Sequence, residues 1–245
     1  MYKSLKRIAG VAVLGATLGI VAPANAQNWS GIYIGANAGW ADKSYDWAFN
    51  PALPAADNQA YSLSNSDGIV GGHVGIQQQW GQFLLGIEAA YSGSGAFDDD
   101  WTSRPRFGVG TADSLVKVGP IFTVGPRIGW AVSNQWLLFA GGGYATANIH
   151  STGRDSTTSA LIPALEGGAR HEGWYAGGGV EFALTRHIIL GAEYQRVELG
   201  TERHNVYPYS PTNTNNRDID ASIDIIRARL SFKIGRDDTR VEPLK

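Results

Sequence analysis

The sequence predicts an all-β chain: an eight-stranded antiparallel up-and-down barrel that crosses a membrane. Three observations carry this expectation. Hydrophobicity alternates with period two in eight segments. The connections between those segments alternate short and long. Aromatic residues cluster at both ends of the apolar stripes.

The first segment puts Ile32, Ile34, Ala36, Ala38 and Trp40 on one face and Gly31, Tyr33, Gly35, Asn37 and Gly39 on the other. Its GxxxGxxxG spacing would suggest helix pairing only inside an apolar run of about 20 residues, and this one is too polar. In Gly68 to Trp80, Val70, Val74 and Ile76 oppose His73 and Gln77. Next, Phe83, Leu85, Ile87, Ala89 and Tyr91 alternate with Leu84, Gly86, Glu88 and Ala90. From Val116 to Ala131, Phe122, Val124, Ile128 and Trp130 oppose Gly125, Arg127 and Gly129. The fifth segment, Leu137 to Ile149, sets Leu137, Phe139, Ala145 and Ala147 on the lipid side against Tyr144, Thr146 and Asn148, with Gly141-Gly142-Gly143 blurring its register. From Gly173 to Leu184, Trp174, Ala176, Val180 and Phe182 oppose Tyr175, Gly177, Gly179 and Glu181. The seventh pairs Ile188, Leu190, Ala192 and Tyr194 against Gly191, Glu193 and Gln195, and the last Ile226, Ala228, Leu230 and Phe232 against Arg227, Arg229, Ser231 and Lys233.

Trp80–Phe83, Val132–Trp136 and Thr185–His187 are short connections; Ala41–Asp67, Ser92–Ser114, His150–His171 and Gly200–Ala221 are long and polar, and read as extracellular loops. Outward rings expected at the short-turn end are Trp80, Phe83, Trp130, Phe182 and Phe232; at the long-loop end they are Trp40, Tyr91, Trp174 and Tyr194. Two such girdles flank an apolar band where amphipathic rings seek lipid–water interfaces. The charges alternate onto the Gly-rich face, the reverse of a soluble barrel, and in hydrocarbon only a closed sheet satisfies every backbone group.

At the N-terminus, Lys3, Lys6 and Arg7 precede an apolar run from Ile8 to Ala22 and the small-residue sequence Pro23-Ala24-Asn25-Ala26. This pattern predicts a signal peptide over residues 1–26, a barrel over 27–234 and a short polar tail over 235–245. Removing three basic residues takes the formal charge from −2 to −5 (−2 − 3), a mildly acidic balance that argues against nucleic acid. There are no cysteines, so disulfides and thiolate chemistry are excluded.

The inward charges are Glu88, Arg127, Glu181, Glu193, Arg227 and Arg229. Paired carboxylates and arginines can do acid–base work. An eight-stranded barrel, however, is just wide enough to be filled by its own side chains, and three acids can neutralise three arginines. They are read as a structural ion-pair network that blocks the lumen together with Tyr33, Asn37, His73, Gln77, Tyr144 and Tyr175. No catalytic, cofactor or metal site is expected. His150, His171 and His204 fall on or beside predicted loops without HxxxH or HxH spacing. Asp98-Asp99-Asp100 lacks the Gly and distal Glu of a calcium loop. For a hydrolase, His171 beside Glu172 with Ser151 is the best set available, without a GxSxG motif.

Several stretches together resemble the outer-membrane β-barrel family of alphaproteobacterial surface antigens, eight-stranded relatives of the OmpA-like transmembrane domain. They are Asn28-Trp-Ser-Gly-Ile-Tyr-Ile-Gly-Ala-Asn-Ala-Gly39, Gly86-Ile-Glu88, Gly125-Pro-Arg127-Ile-Gly129, Gly141-Gly-Gly-Tyr144, Gly177-Gly-Gly-Val-Glu181 and Ala192-Glu-Tyr194. The resemblance implies a bacterial outer-membrane location. It also implies partners in outer-membrane lipids and lipopolysaccharide, the barrel-assembly machinery, and host or environmental surface ligands. A structural, antigenic or adhesive role is the implied function, with a haem or small-ligand receptor, a narrow porin-like channel or a membrane hydrolase as alternatives. Barrels of this kind usually end on the last strand's aromatic residue; here Phe232 is followed by Lys233 and a tail to Lys245.

Overall fold

The computed structural model describes residues 28–49, 61–94, 102–105, 111–155, 158, 160, 167–204 and 217–234. The expected signal peptide and tail lie outside these residues, as do Asp98-Asp99-Asp100. Among the described residues ten strands run in chain order: β1 (Gly31–Phe49), β2 (Tyr61–Trp80), β3 (Phe83–Ser94), β4 (Thr102–Pro105), β5 (Thr111–Val118), β6 (Ile121–Ala131), β7 (Trp136–Asp155), β8 (Gly167–Ala183), β9 (Ile188–His204) and β10 (Arg217–Ile234). β1, β2, β3, β6, β7, β8, β9 and β10 pair in turn, antiparallel, and β10 returns to β1. The ring is the predicted closed eight-stranded barrel. β5 extends the fourth barrel strand past the Gly119-Pro120 break and carries the short β4 on its edge.

The short turns have local causes. Gly81 takes a positive φ of 61°, which lets β2 reverse into β3 through two residues. Ser133 Oγ accepts the amide of Trp136 at 3.2 Å, and Thr185 Oγ1 accepts that of Ile188 at 2.9 Å. The same hydroxyl device closes both turns.

Side-chain parity follows the prediction in seven of the eight barrel strands. Ile34, Val74, Ile87, Ile128, Leu190 and Leu230 stand exposed on the outer face, while Tyr33, His73, Glu88, Arg127, Glu193 and Arg229 are buried inside. β7 corrects the reading. Leu137 and Phe139 are buried in the lumen, and Leu138 and Tyr144 face outward. Tyr144 therefore belongs to the outer aromatic girdle, not to the lumen. Leu137-Leu138-Phe139-Ala140 is apolar on both parities, so alternation alone could not orient it; the pairing of Trp136 with Phe182 and Tyr144 with Trp174 does.

A second correction concerns the long connections. They are not loops from Ala41, His150 and Gly200 onward: β1, β7, β8, β9 and β10 continue as paired strands well beyond the girdle. There the pattern inverts. Ala41, Tyr45, Ile149, Leu199, Ile219 and Ile223 are buried inside, whereas Asp42 and Asp46 point out. The turning point is visible in β10, where Ile225 is buried and Ile226 is exposed. Above the girdle the outer surface meets water, so the apolar face turns inward as in a soluble barrel.

Candidate functional site

The lumen is layered. At the short-turn end Trp29, Leu84, Ala131, Leu137, Ala183 and Ile189 form an apolar cluster. Trp29 is wholly buried and is anchored by its own backbone: its amide donates to Gln79 Oε1 at 2.8 Å and its carbonyl accepts Gln77 Nε2 at 2.7 Å. Nothing in the alternation marked Trp29, because it precedes the first strand.

Above this cluster lie the six predicted charges, and the structure brings all of them into one network. Arg229 is its hub. Its guanidinium reaches Glu88 at 2.5 and 2.9 Å and Glu193 at 2.6 Å, with Glu181 at 3.8 Å. Arg127 joins Glu181 at 2.5 Å and Glu88 at 3.0 Å, and Arg227 joins Glu193 at 2.9 Å. Tyr33 donates to Glu88 at 2.6 Å and accepts from Arg127 at 3.2 Å. Phe139 supplies a ring face 4.1 Å from the Arg127 guanidinium. Arg227 also donates to Ser92, which donates in turn to Asn37, while His73 bonds Ser231 at 2.7 Å. Carboxylates and guanidiniums withdrawn from water are tolerated only when paired and hydrogen-bonded in this way.

The network needs room, and glycine provides it. Long inward side chains come from most of the ring: Tyr33 on β1, Glu88 on β3, Arg127 on β6, Glu181 on β8, Glu193 on β9 and Arg229 on β10. Between them stand inward glycines such as Gly35, Gly125, Gly177 and Gly179. A Cβ on Gly125 would collide with the Gly142 carbonyl, and one on Gly179 with that of Ala192.

The nine predicted girdle residues all stand on the outer face. Trp80, Phe83, Trp130, Phe182 and Phe232 mark the short-turn end, and Trp40, Tyr91, Trp174 and Tyr194 the other. Phe83 and Trp130 stack edge to face at 4.5 Å. Trp136, Phe122 and Tyr144 are members that the sequence reading missed.

The histidines separate. His150 is exposed on the outer wall of β7. His171 and His204 are fully buried inside the barrel above the girdle, with their Nε2 atoms 2.8 Å apart. Glu172 faces outward, away from His171. Ser151 donates to the Gly167 carbonyl and lies four register positions from Ala147, the partner of His171; that is roughly 13 Å along the strand. The Ser–His–Glu grouping required for a hydrolase at this rim is not assembled. Among the described residues no group of three or more His, Asp or Glu side chains converges as a metal site.

A closed antiparallel ring with an apolar exterior band, two aromatic girdles and a charged interior defines a transmembrane β-barrel. The family model for the outer membrane protein beta-barrel domain matches residues 11–232, and the chain belongs to that family. It is an outer-membrane protein. It is 27% identical over 206 residues to the 31 kDa outer-membrane immunogenic protein of Brucella melitensis, covering 82% of this chain and 83% of the relative, and equally to that of Brucella suis. Among solved structures it is similar to the outer membrane protein OprG from Pseudomonas aeruginosa, with TM-score 0.52, 13% identity, and coverage of 86% of this chain and 100% of that one. It is also similar to Ail, the attachment invasion locus protein of Yersinia pestis, with TM-score 0.40, 10% identity, and coverage of 83% and 99%.

Proposed function

We propose that this barrel is a non-enzymatic surface protein whose sealed lumen makes it a structural element of the envelope and whose outer connections serve as antigenic or adhesive surface. The observation that carries the reading is the lumen network. Its six charged residues are bonded to one another and to Tyr33 across the width of the barrel, leaving no pair of carboxylates exposed to a substrate. The immunogenic name of the Brucella relatives supports the surface role. Lipopolysaccharide and other outer-membrane lipids surround the apolar band, and the assembly machinery reads the last strand, β10, through Phe232 near its end. Surface ligands of host or environment would meet the residues beyond the extended strands.

Two experiments test this reading. Antibody raised against residues 50–60 should label intact cells, and deleting the gene should raise sensitivity to detergent. A protein that intact cells hide from that antibody, together with a deletion strain of unchanged detergent resistance, contradicts it.

A further inference from the structure

Among the described residues, the ring that closes within the membrane has a seam above it. Phe122 pairs with Thr146 and Val118 with Ile149, so the strand carries one residue more than β7 over the same span. Gly119-Pro120 is therefore a bulge, which bends a strand and re-aims it. The Gly119 amide donates to the Asn148 carbonyl at 2.7 Å, and β5 follows β7. β3 is left behind: its ladder with β6 ends at Ser92 with Ile121, and its ladder with β2 at Ser94 with Ile69. From Gly68 up to Tyr61, β2 pairs with β1 alone among the described residues.

The backbone phase of this stretch is fixed. The Ala131 amide donates to the Gln82 carbonyl at 2.8 Å, so even-numbered residues there face β6 and odd-numbered residues of β3 face β2. Trp80 pairs with Phe83, which turns the even-numbered residues of β2 toward β3. The register with β1 runs unbroken from Gly31 with Gln77 to Trp47 with Tyr61. Leu63, Asn65 and Asp67 thus direct their backbone groups at β1, and Ser62, Ser64, Ser66 and Gly68 direct theirs at the seam. This edge is roughly 26 Å long at the usual rise. It carries neither the proline nor the lysine that commonly blunts an exposed edge. β4, on the edge of β5, is short and ends in Pro105. The gap between the upper parts of β8 and β9 is bridged instead, by His171 bonding the Gly200 carbonyl and His204.

We propose that the edge Tyr61–Gly68 is a docking site for an extended peptide of another protein, which adds as an antiparallel strand with basic residues outward and apolar residues inward. The proposal rests on the adhesive part of the surface role and gives it a place. Main-chain bonds to an open edge supply affinity, and alternate side chains supply selectivity. Directly opposed residues share a face, so those opposite Ser62, Ser64 and Ser66 lie outward, where these serines are exposed. The wall behind is acidic. Asp42 stands opposite Asp224 and Asp46 opposite Asp220, all pointing outward. Arg196 meets Asp224, but Asp42, Asp46 and Asp220 are bonded to the hydroxyls of Ser66, Ser62 and Thr201. Like charges opposed across a ladder repel. An added strand would sit two strand spacings from β1, roughly 10 Å, about one Debye length. On the inner side Ile69 and Tyr45 belong to the apolar layer, which inward apolar residues would extend. Asp67 Oδ1, also inward, is buried without a donor and favours a hydroxyl or amide beside it.

The test is residue-resolved amide exchange on the full mature barrel in nanodiscs of zwitterionic lipid. The probe is a synthetic peptide of alternating lysine and valine, as long as the edge. Without it, the amides of Ser62, Ser64 and Ser66 should exchange freely while those of Leu63, Asn65 and Asp67 are protected. Near saturation the serine amides should slow about tenfold. Methylating the lysine amides, which would face β2, should abolish the effect, and methylating the valine amides should not. Ser64→Pro removes a seam-facing donor without touching a β1 bond and should weaken it. The glutamate–valine counterpart should bind more weakly, by a margin that shrinks in high salt. Serine amides already protected without peptide would mean that the chain itself or a second copy covers the edge, and overturn the proposal. So would a lysine–valine peptide without effect, one indifferent to lysine-amide methylation, or equal binding of the glutamate peptide. Antibody labelling of intact cells separates the two readings: labelled cells with an unresponsive edge overturn this inference alone, and unlabelled cells overturn the surface role.

Discussion

Single residues in the lumen differ in how much the structure depends on them. Arg127 holds Glu88 and Glu181 at once, and Arg127→Ala leaves both short of a partner in a buried site. The expected loss is about 3–5 kcal/mol of barrel stability, the scale for breaking a buried pair. Glu181→Gln keeps an acceptor for Arg127 and should cost less, roughly 1–2 kcal/mol. Urea-dependent unfolding in lipid vesicles measures both, and equal losses would refute the ranking. Gly179→Ala acts through space instead of charge. Its Cβ would press on the Ala192 carbonyl, so assembly yield should fall even though Ala is the smallest side chain available. All six network charges were legible in the sequence, because a charge on a strand with an otherwise apolar outer face has only the lumen to go to. Phe139 was not, since its neighbours are apolar on both parities.

At the scale of elements, β7 shows where alternation stops being informative. Leu137-Leu138-Phe139-Ala140 followed by three glycines offers either phase, and only the cross-strand partners on β6 and β8 choose one. The observed phase places Ala140 on the lipid face, midway between Trp136 and Tyr144. Ala140→Arg should therefore cost about 2–4 kcal/mol, as a charge does at the bilayer midplane. An unaffected variant would restore the opposite phase. The upper halves of the strands resemble loops in sequence because they are rich in Asp and Ser. The signal was present nonetheless: Ile219, Ile223 and Ile225 alternate on the parity opposite to Ile226, Leu230 and Phe232. A phase flip without a break in alternation marks the level at which the strand leaves lipid for water. His204 was out of reach of any such count: Gly200 takes a positive φ of 65° and the β9–β10 register slips between Asp220 and Ser222, which resets the parity before it.

For the molecule as a whole, the layers stack from an apolar cluster around Trp29, through the charged network, to the apolar core of the protruding half. Trp29 closes the short-turn end, and Trp29→Ala should cost about 3 kcal/mol by leaving a cavity over Leu84 and Leu137. A closed sheet that survives detergent should also migrate differently on a gel before and after boiling, and recovery as a soluble periplasmic protein would contradict the membrane assignment. The proposed seal of the lumen is open to a direct measurement, conductance in a planar bilayer. The wild type should show no large, stable conductance, and a leak should appear once Arg127→Ala opens the network. Steady wild-type conductance on the scale of a sixteen-stranded porin would contradict it.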